Sequence, residues 1–183
     1  MRRLIVFNQV TLDGYFTDKK GDMSWAHKSD PEWDAFVAGN SKQGGVLLFG
    51  RVTYEMMASY WPTPAAKKAF PDVAEGMNAL KKVVLSRSLD KAEWENTTIL
   101  KELSDVEKLK KEPGPDIVIL GSGKVVAQLA AKGWIDEYQL IYNPIALGAG
   151  RTLFDGVDQK VELKRTSTRA FKNGNVLICY EPA

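Results

Sequence analysis

Apolar residues in this chain fall into short blocks, and the blocks are the first guide to its elements. Arg3–Val10 (RLIVFNQV), Gly45–Phe49 (GVLLF), Lys82–Ser86 (KVVLS), Thr97–Leu100 (TTIL), Asp116–Leu120 (DIVIL) and Glu137–Tyr142 are short and rich in Val, Ile and Leu, the mark of buried strands. Between them the pattern shifts to helical spacing. Ser29-Asp30-Pro31-Glu32 offers a cap, a first-turn proline and an acid, and predicts a helix to about Asn40. Thr53, Met56, Met57 and Tyr60 recur at i, i+3, i+4 and i+7, which predicts a helix from Gly50 to Trp61-Pro62 with these four on one face. Leu103–Lys111 is amphipathic, and Ser122–Lys132 turns Val125, Val126, Leu129 and Ala130 inward. Residues 11–25 read as a loop and residues 62–81 as helical or irregular. The tail predicts two long strands joined at Asn173-Gly174.

Strand and helix therefore alternate over the first two-thirds. That order predicts an α/β fold of three layers, with a central, mostly parallel sheet and a C-terminal antiparallel hairpin. A single domain over residues 1–183 accommodates all of it.

Composition narrows the function. Apolar residues make up 44% and charged residues 26%, the balance of a soluble globular protein. The net charge is +2 with scattered basic residues, which argues against nucleic acid as a partner. No apolar run reaches the ~18 residues of a membrane span. The N-terminal run reads as a strand and not as a secretory leader, so a cytoplasmic protein is the expectation. One cysteine, Cys179, and one histidine, His27, rule out an internal disulfide and a Cys/His zinc site. Cys179 alternates in a strand and reads as a packing residue; His27 lies in a polar stretch and reads as solvated.

The candidate chemistry lies in three turns that follow strands, because parallel sheets bind ligands beyond the carboxyl ends of their strands. Gly121-Ser122-Gly123-Lys124 superficially suggests a triphosphate loop. The required G-x-x-x-x-G-K-[ST] fails at Val118 and at Val125, so a kinase or triphosphatase is excluded. Two readings remain: a helix N-terminus that holds a phosphate, or glycines that only make a sharp turn. Gly50-Arg51-Val52-Thr53 and Ser86-Arg87-Ser88 add two guanidinium groups and several hydroxyls at neighbouring strand ends. Together they suit a ligand with a diphosphate and a separate monophosphate, as NADPH has.

These residues, taken with Thr11-Leu12-Asp13-Gly14-Tyr15, LLFGRVTYE, VVLSRSL, VILGSGKVVAQLA and NPIALGAGRTLF, resemble the dihydrofolate reductase-like superfamily. Within it they look like the branch holding the C-terminal reductase domain of the riboflavin-biosynthesis deaminase–reductase (RibD) proteins. The resemblance implies an eight-stranded sheet, NADPH across the strand ends, and hydride transfer to a small heterocyclic or imine-like substrate. Carried over, Gly50, Arg51 and Thr53 would hold the adenine side and diphosphate. Ser86 and Arg87 would meet the 2′-phosphate. Gly121, Ser122, Gly123, Lys124 and Val125 would approach the diphosphate and nicotinamide. Val10, Thr11 and Leu12 would line the nicotinamide, and Asp13-Gly14 would begin the loop over it.

Two departures stand out. Dihydrofolate reductases carry Gly-Gly, often cis, where this chain has Gly121-Ser122, and Val126 stands where they place a tyrosine. One Cys and one His cannot supply the deaminase signature H-x-E…P-C-x-x-C, so only the reductase half is expected. Asp34, on the first helix, reads either as a proton-supplying carboxylate or as a solvated acid. Asp13 reads either as an Asx-turn residue or as a substrate contact. Trp25, Trp33 and Trp61 read as core or pocket wall, and Gly148-Ala149-Gly150-Arg151 as a closing loop or a plain turn. Alternatives to the riboflavin-type reductase are a dihydrofolate reductase using Asp34 and a non-catalytic binding protein of the same fold. A homodimer is expected from the resemblance.

Overall fold

In the computed structural model, which describes residues 1–183, the elements run in chain order as follows. They are β1 (Leu4–Thr11), β2 (Tyr15–Thr17), α1 (Pro31–Lys42), β3 (Val46–Gly50), α2 (Arg51–Tyr60), α3 (Pro64–Ala69), α4 (Pro71–Ala79), β4 (Lys81–Leu85) and β5 (Thr97–Leu100). Then come α5 (Leu103–Lys111), β6 (Ile117–Leu120), α6 (Gly123–Ala131), β7 (Glu137–Asn143), β8 (Arg151–Thr152), β9 (Leu163–Ala170) and β10 (Val176–Pro182). One eight-stranded sheet has the order β5-β4-β3-β6-β1-β7-β10-β9. Its first six strands are parallel, and β10 and β9 close it antiparallel.

The apolar blocks are continuous because both faces of the parallel strands are covered. On β3, Val46 and Leu48 enter one core with Leu4, Val6, Ile117, Ile119, Val126 and Leu129. The alternate residues Leu47 and Phe49 enter a second core with Tyr54, Met77, Val84 and Trp94. A third cluster of Trp33, Ile141 and Phe171 seats α1 beside the hairpin. The hairpin turns where Asn173-Gly174 predicts: Gly174 has φ +91°, and the Asn175 N–H donates to the Asn173 side chain at 3.0 Å. The free edge, β9, is exposed from Lys164 to Ala170 and carries Lys164, Arg165 and Arg169, charges that discourage edge pairing.

One expectation is sharpened and two need correction. The stretch read as helical or irregular holds two short helices, each opened by a proline, Pro64 in α3 and Pro71 in α4. On α2 the inward side is Thr53, Tyr54, Met57, Ala58 and Trp61; Met56 and Tyr60 are 42% and 39% exposed. The loop after β1 contains β2, which pairs antiparallel with β8. Neither short strand has enough residues to show a period of two.

Lys82 is the buried charge of the fold, 1% exposed on β4. Its Nζ donates to the carbonyls of Met77, Asn78 and Leu80 at 3.0, 3.0 and 2.7 Å and lies 4.4 Å from the Trp94 ring centre. An ammonium thus closes the carbonyl end of α4, the end that favours positive charge. Burial pulls its pKa down to about 8, with Glu95 acting in the other direction.

Candidate active site

The sheet order makes β4, β3, β6 and β1 consecutive and parallel, so their carboxyl ends lie side by side. The turns there are Ser86-Arg87-Ser88, Gly50-Arg51, Gly121-Ser122-Gly123-Lys124 and Thr11-Leu12-Asp13-Gly14. Topology thus gathers the three predicted phosphate turns and the predicted nicotinamide turn along one edge.

Two of these turns lock into each other. The Ser122 N–H donates to Thr53 Oγ1 at 3.1 Å, and the Gly50 N–H donates to Ser122 Oγ at 2.8 Å. Ser122 Oγ donates in turn to the Leu120 carbonyl. A Cβ on Gly121 would lie 3.0–3.1 Å from Thr53, and one on Gly50 would lie 3.1 Å from Val125 Cγ2. Every peptide bond is trans, Gly121–Ser122 included, and the sharp turn is made by two successive left-handed residues, at φ +58° and +62°. Glycine takes that conformation without cost; for serine it is strained by about 1–3 kcal/mol, offset here by the hydrogen bonds of its N–H and hydroxyl.

Asn8 is a member of this site that the sequence reading missed. Its side chain accepts from the Gly121 N–H at 2.8 Å and donates to the Gly121 carbonyl at 3.2 Å. The available signal was an asparagine inside the apolar run LIVFNQV, since a buried amide requires partners.

The helix starts at this edge differ from the rest. α1 is capped by Asp30, α3 by Thr63 and α5 by a capping box of Glu102 and Asp105. α4 lacks a side-chain cap but has Asp72 in its first turn. α2 and α6 have neither a side-chain cap nor an acid. Each carries a cation there instead, Arg51 and Lys124, the sign that a helix N-terminus disfavours. Backbone N–H groups, a positive helix end and an exposed cation are the donor set of an anion site. Arg51 is 4.0 Å from Glu55. Arg87 is exposed, and Ser86 Oγ accepts from the Leu89 N–H, so that hydroxyl shapes the turn presenting Arg87.

The other predicted residues fall as follows. Val10, Val125 and Val126 are buried core side chains. Leu12 is 73% exposed and Val52 is 67% exposed, leaving open apolar surface beside the turns. Thr11 is fully buried; its hydroxyl donates to Asp13 at 2.6 Å and accepts from the Tyr15 N–H. Asp13 also accepts from the Leu147 and Gly148 N–H groups at 3.1 and 2.7 Å. The bond from Thr11, with those from the backbone, holds its carboxyl below the usual range. Gly148–Arg151 is pinned at both ends, with β8 paired to β2.

Asp34 is exposed on α1 and accepts from the Ser29 hydroxyl at 2.7 Å. Asp30, four residues earlier, is placed differently. Its Oδ1 caps Glu32 and Trp33, while its Oδ2 is buried without a partner. Trp25 Nε1 is a second buried group without a partner in the same approach to α1. Trp33 and Trp61 pack, the latter donating to Met57 Sδ at 3.1 Å.

The sheet order and antiparallel closing strands define a dihydrofolate reductase-like fold, and solved structures agree. A protein from Shewanella sp. PV-4 named a putative riboflavin biosynthesis protein superposes with a TM-score of 0.72 at 20% identity over 99% of both chains. A dihydrofolate reductase from Enterococcus faecalis, complexed with NADP(H) and RAB-propyl, gives 0.65 at 17% identity over 98% of this chain and 96% of that one. The RibD C-terminal domain model matches residues 2–177, and the chain belongs to that family. Two Bacillus subtilis (strain 168) proteins, both named as uncharacterized, are relatives. YyaP is 33% identical over 98% of this chain and 94% of its own length, and YwjB is 25% identical over 93% and 92%. No helix is long and apolar enough to cross a membrane.

Proposed function

We propose that the protein is an NADPH-dependent reductase that transfers hydride to a small heterocyclic or imine-like substrate. The observation that carries this reading is the pair of uncapped, cation-bearing helix starts of α2 and α6, interlocked at neighbouring strand ends. Family membership and the NADP(H) complexed with the Enterococcus faecalis enzyme support it.

The residues present fit this cofactor. The first-turn amides of α2 and α6 with Lys124 hold the diphosphate, and Arg87 with Arg51 holds the 2′-phosphate. Bound there, NADPH supplies the hydride, and the protein supplies position and a water-poor setting. Asn8, Thr53 and Ser122 fix the turn, so its free N–H groups are oriented before binding. Leu12 covers the reactive side. Asp30, not Asp34, is the carboxylate we assign to proton supply, because one of its oxygens is buried and free while Asp34 is solvated.

Titrating NADPH and NADH against tryptophan fluorescence tests the cofactor assignment. NADPH should bind tighter by about tenfold or more, the value of one bidentate phosphate–guanidinium contact. Equal affinities would remove the role given to Arg51 and Arg87.

A further inference from the structure

The turn after β1 and the segment between β7 and β8 lie far apart in sequence yet form one unit. The Leu12 N–H donates to the Ile145 carbonyl at 2.8 Å, Thr11 is in register with Asn143, and Tyr15 pairs with Thr152. Asp13 is the side chain that ties them. One carboxylate accepts from the Thr11 hydroxyl in its own turn and from the Leu147 and Gly148 N–H groups opposite. Gly148 is left-handed at φ +71°, with open space where a side chain would stand. A Cβ on Gly150 would collide with the Thr17 carbonyl and with Tyr15, so the two segments also touch further along.

We propose that Asp13 is a positioning residue: its carboxylate latches the 144–150 segment to the Thr11–Gly14 turn and so fixes Leu12 over the nicotinamide side of the site. A carboxylate whose lone pairs already receive three donors is an acceptor and not a proton source. Leu12 stands between the two ends of the latch, bonded through its N–H to one segment and belonging by sequence to the other. Releasing Asp13 frees the 147–148 backbone first and the Leu12 side chain with it. The anion turns on β3 and β6 have bonds of their own and stay in place. The positioning role rests on the reductase reading; the latch itself does not.

The experiment compares wild type with Asp13→Ala and Asp13→Glu. Backbone amide exchange is followed at Leu147 and Gly148, and fluorescence titrations use NADPH and adenosine 2′,5′-bisphosphate, which lacks the nicotinamide half. In Asp13→Ala the two amides should exchange about tenfold faster or more while β1 and β7 amides keep their rates. NADPH affinity should drop about tenfold with the bisphosphate unchanged, and Asp13→Glu should recover part of the loss. Unchanged exchange at Leu147 and Gly148 would overturn the latch. Equal losses for both ligands would overturn the positioning role, since general loosening affects both. Wild-type protein that binds neither ligand sinks the reductase reading, and the exchange rates still decide the latch.

Discussion

Two kinds of helix end coexist in this molecule. α1, α3 and α5 start under their own capping side chains, and the last carbonyls of α4 end on the Lys82 ammonium. α2 and α6 start with nothing over them and with a cation in the first turn. A capped end has some of its N–H groups already accepted by a side chain and fewer to offer. An open end with a cation carries a small stability cost, roughly 0.3–1 kcal/mol per misplaced charge. Both such ends occur on neighbouring strands, which is the arrangement an anionic ligand requires. Closed ends should therefore answer to stability measurements, and open ends to binding.

The largest effect expected is at the closed end of α4. Lys82→Met keeps most of the side chain's length but leaves three carbonyls without their donor. A loss of about 3 kcal/mol in urea unfolding is expected, with cofactor affinity unchanged. The pH dependence has a definite sign. Unfolded, the lysine keeps its proton up to its ordinary value of 10.5; folded, it gives the proton up at about 8. Between those values the unfolded chain binds more protons, so rising pH favours folding. The margin of wild type over Lys82→Met should widen from pH 8 toward pH 10.5. A margin that narrows would show that the charged form is the favoured one.

Asp30 belongs to both groups, since it closes α1 with one oxygen and leaves the other free. Asp30→Asn separates the roles. Asparagine caps as well as aspartate, so stability should stay within a few tenths of a kcal/mol. Turnover should fall about 100-fold, the usual worth of a positioned proton donor. Turnover equal to wild type would leave Asp30 as a cap alone.

Much of the fold was legible because each parallel strand is buried on both faces, and such strands appear as unbroken apolar runs in GVLLF or DIVIL. The pair β2–β8 was not, because strands of three and two residues have no period to read. At the site, the turns were legible through glycine and arginine, residues whose chemistry is local. Asn8 and the different surroundings of Asp30 and Asp34 were not. Sequence places both acids near the start of one helix and cannot say which carboxylate oxygen the fold will bury. Asp13 reads from the sequence as a turn residue or a substrate contact, and beyond Thr11 its partners Leu147 and Gly148 lie 134 and 135 positions away.

The smallest effect is the most direct test of the contrast between ends. Lys124 is exposed in the first turn of α6, where a negative charge would suit the helix better. Lys124→Glu should raise stability by about 0.3–1 kcal/mol, because it gives α6 the acid that α1 and α5 already have. The same change places an acid where the proposed function puts the diphosphate, and on that reading NADPH affinity should fall about tenfold. The opposite signs carry the argument. An ordinary surface position would move stability by a few tenths and leave binding alone, and a merely structural turn would lose both together. A helix end kept open for an anion should become more stable and bind less. Thermal unfolding and a fluorescence titration on one preparation measure the two quantities, and equal NADPH affinity in wild type and variant would remove Lys124 and the α6 start from the cofactor site.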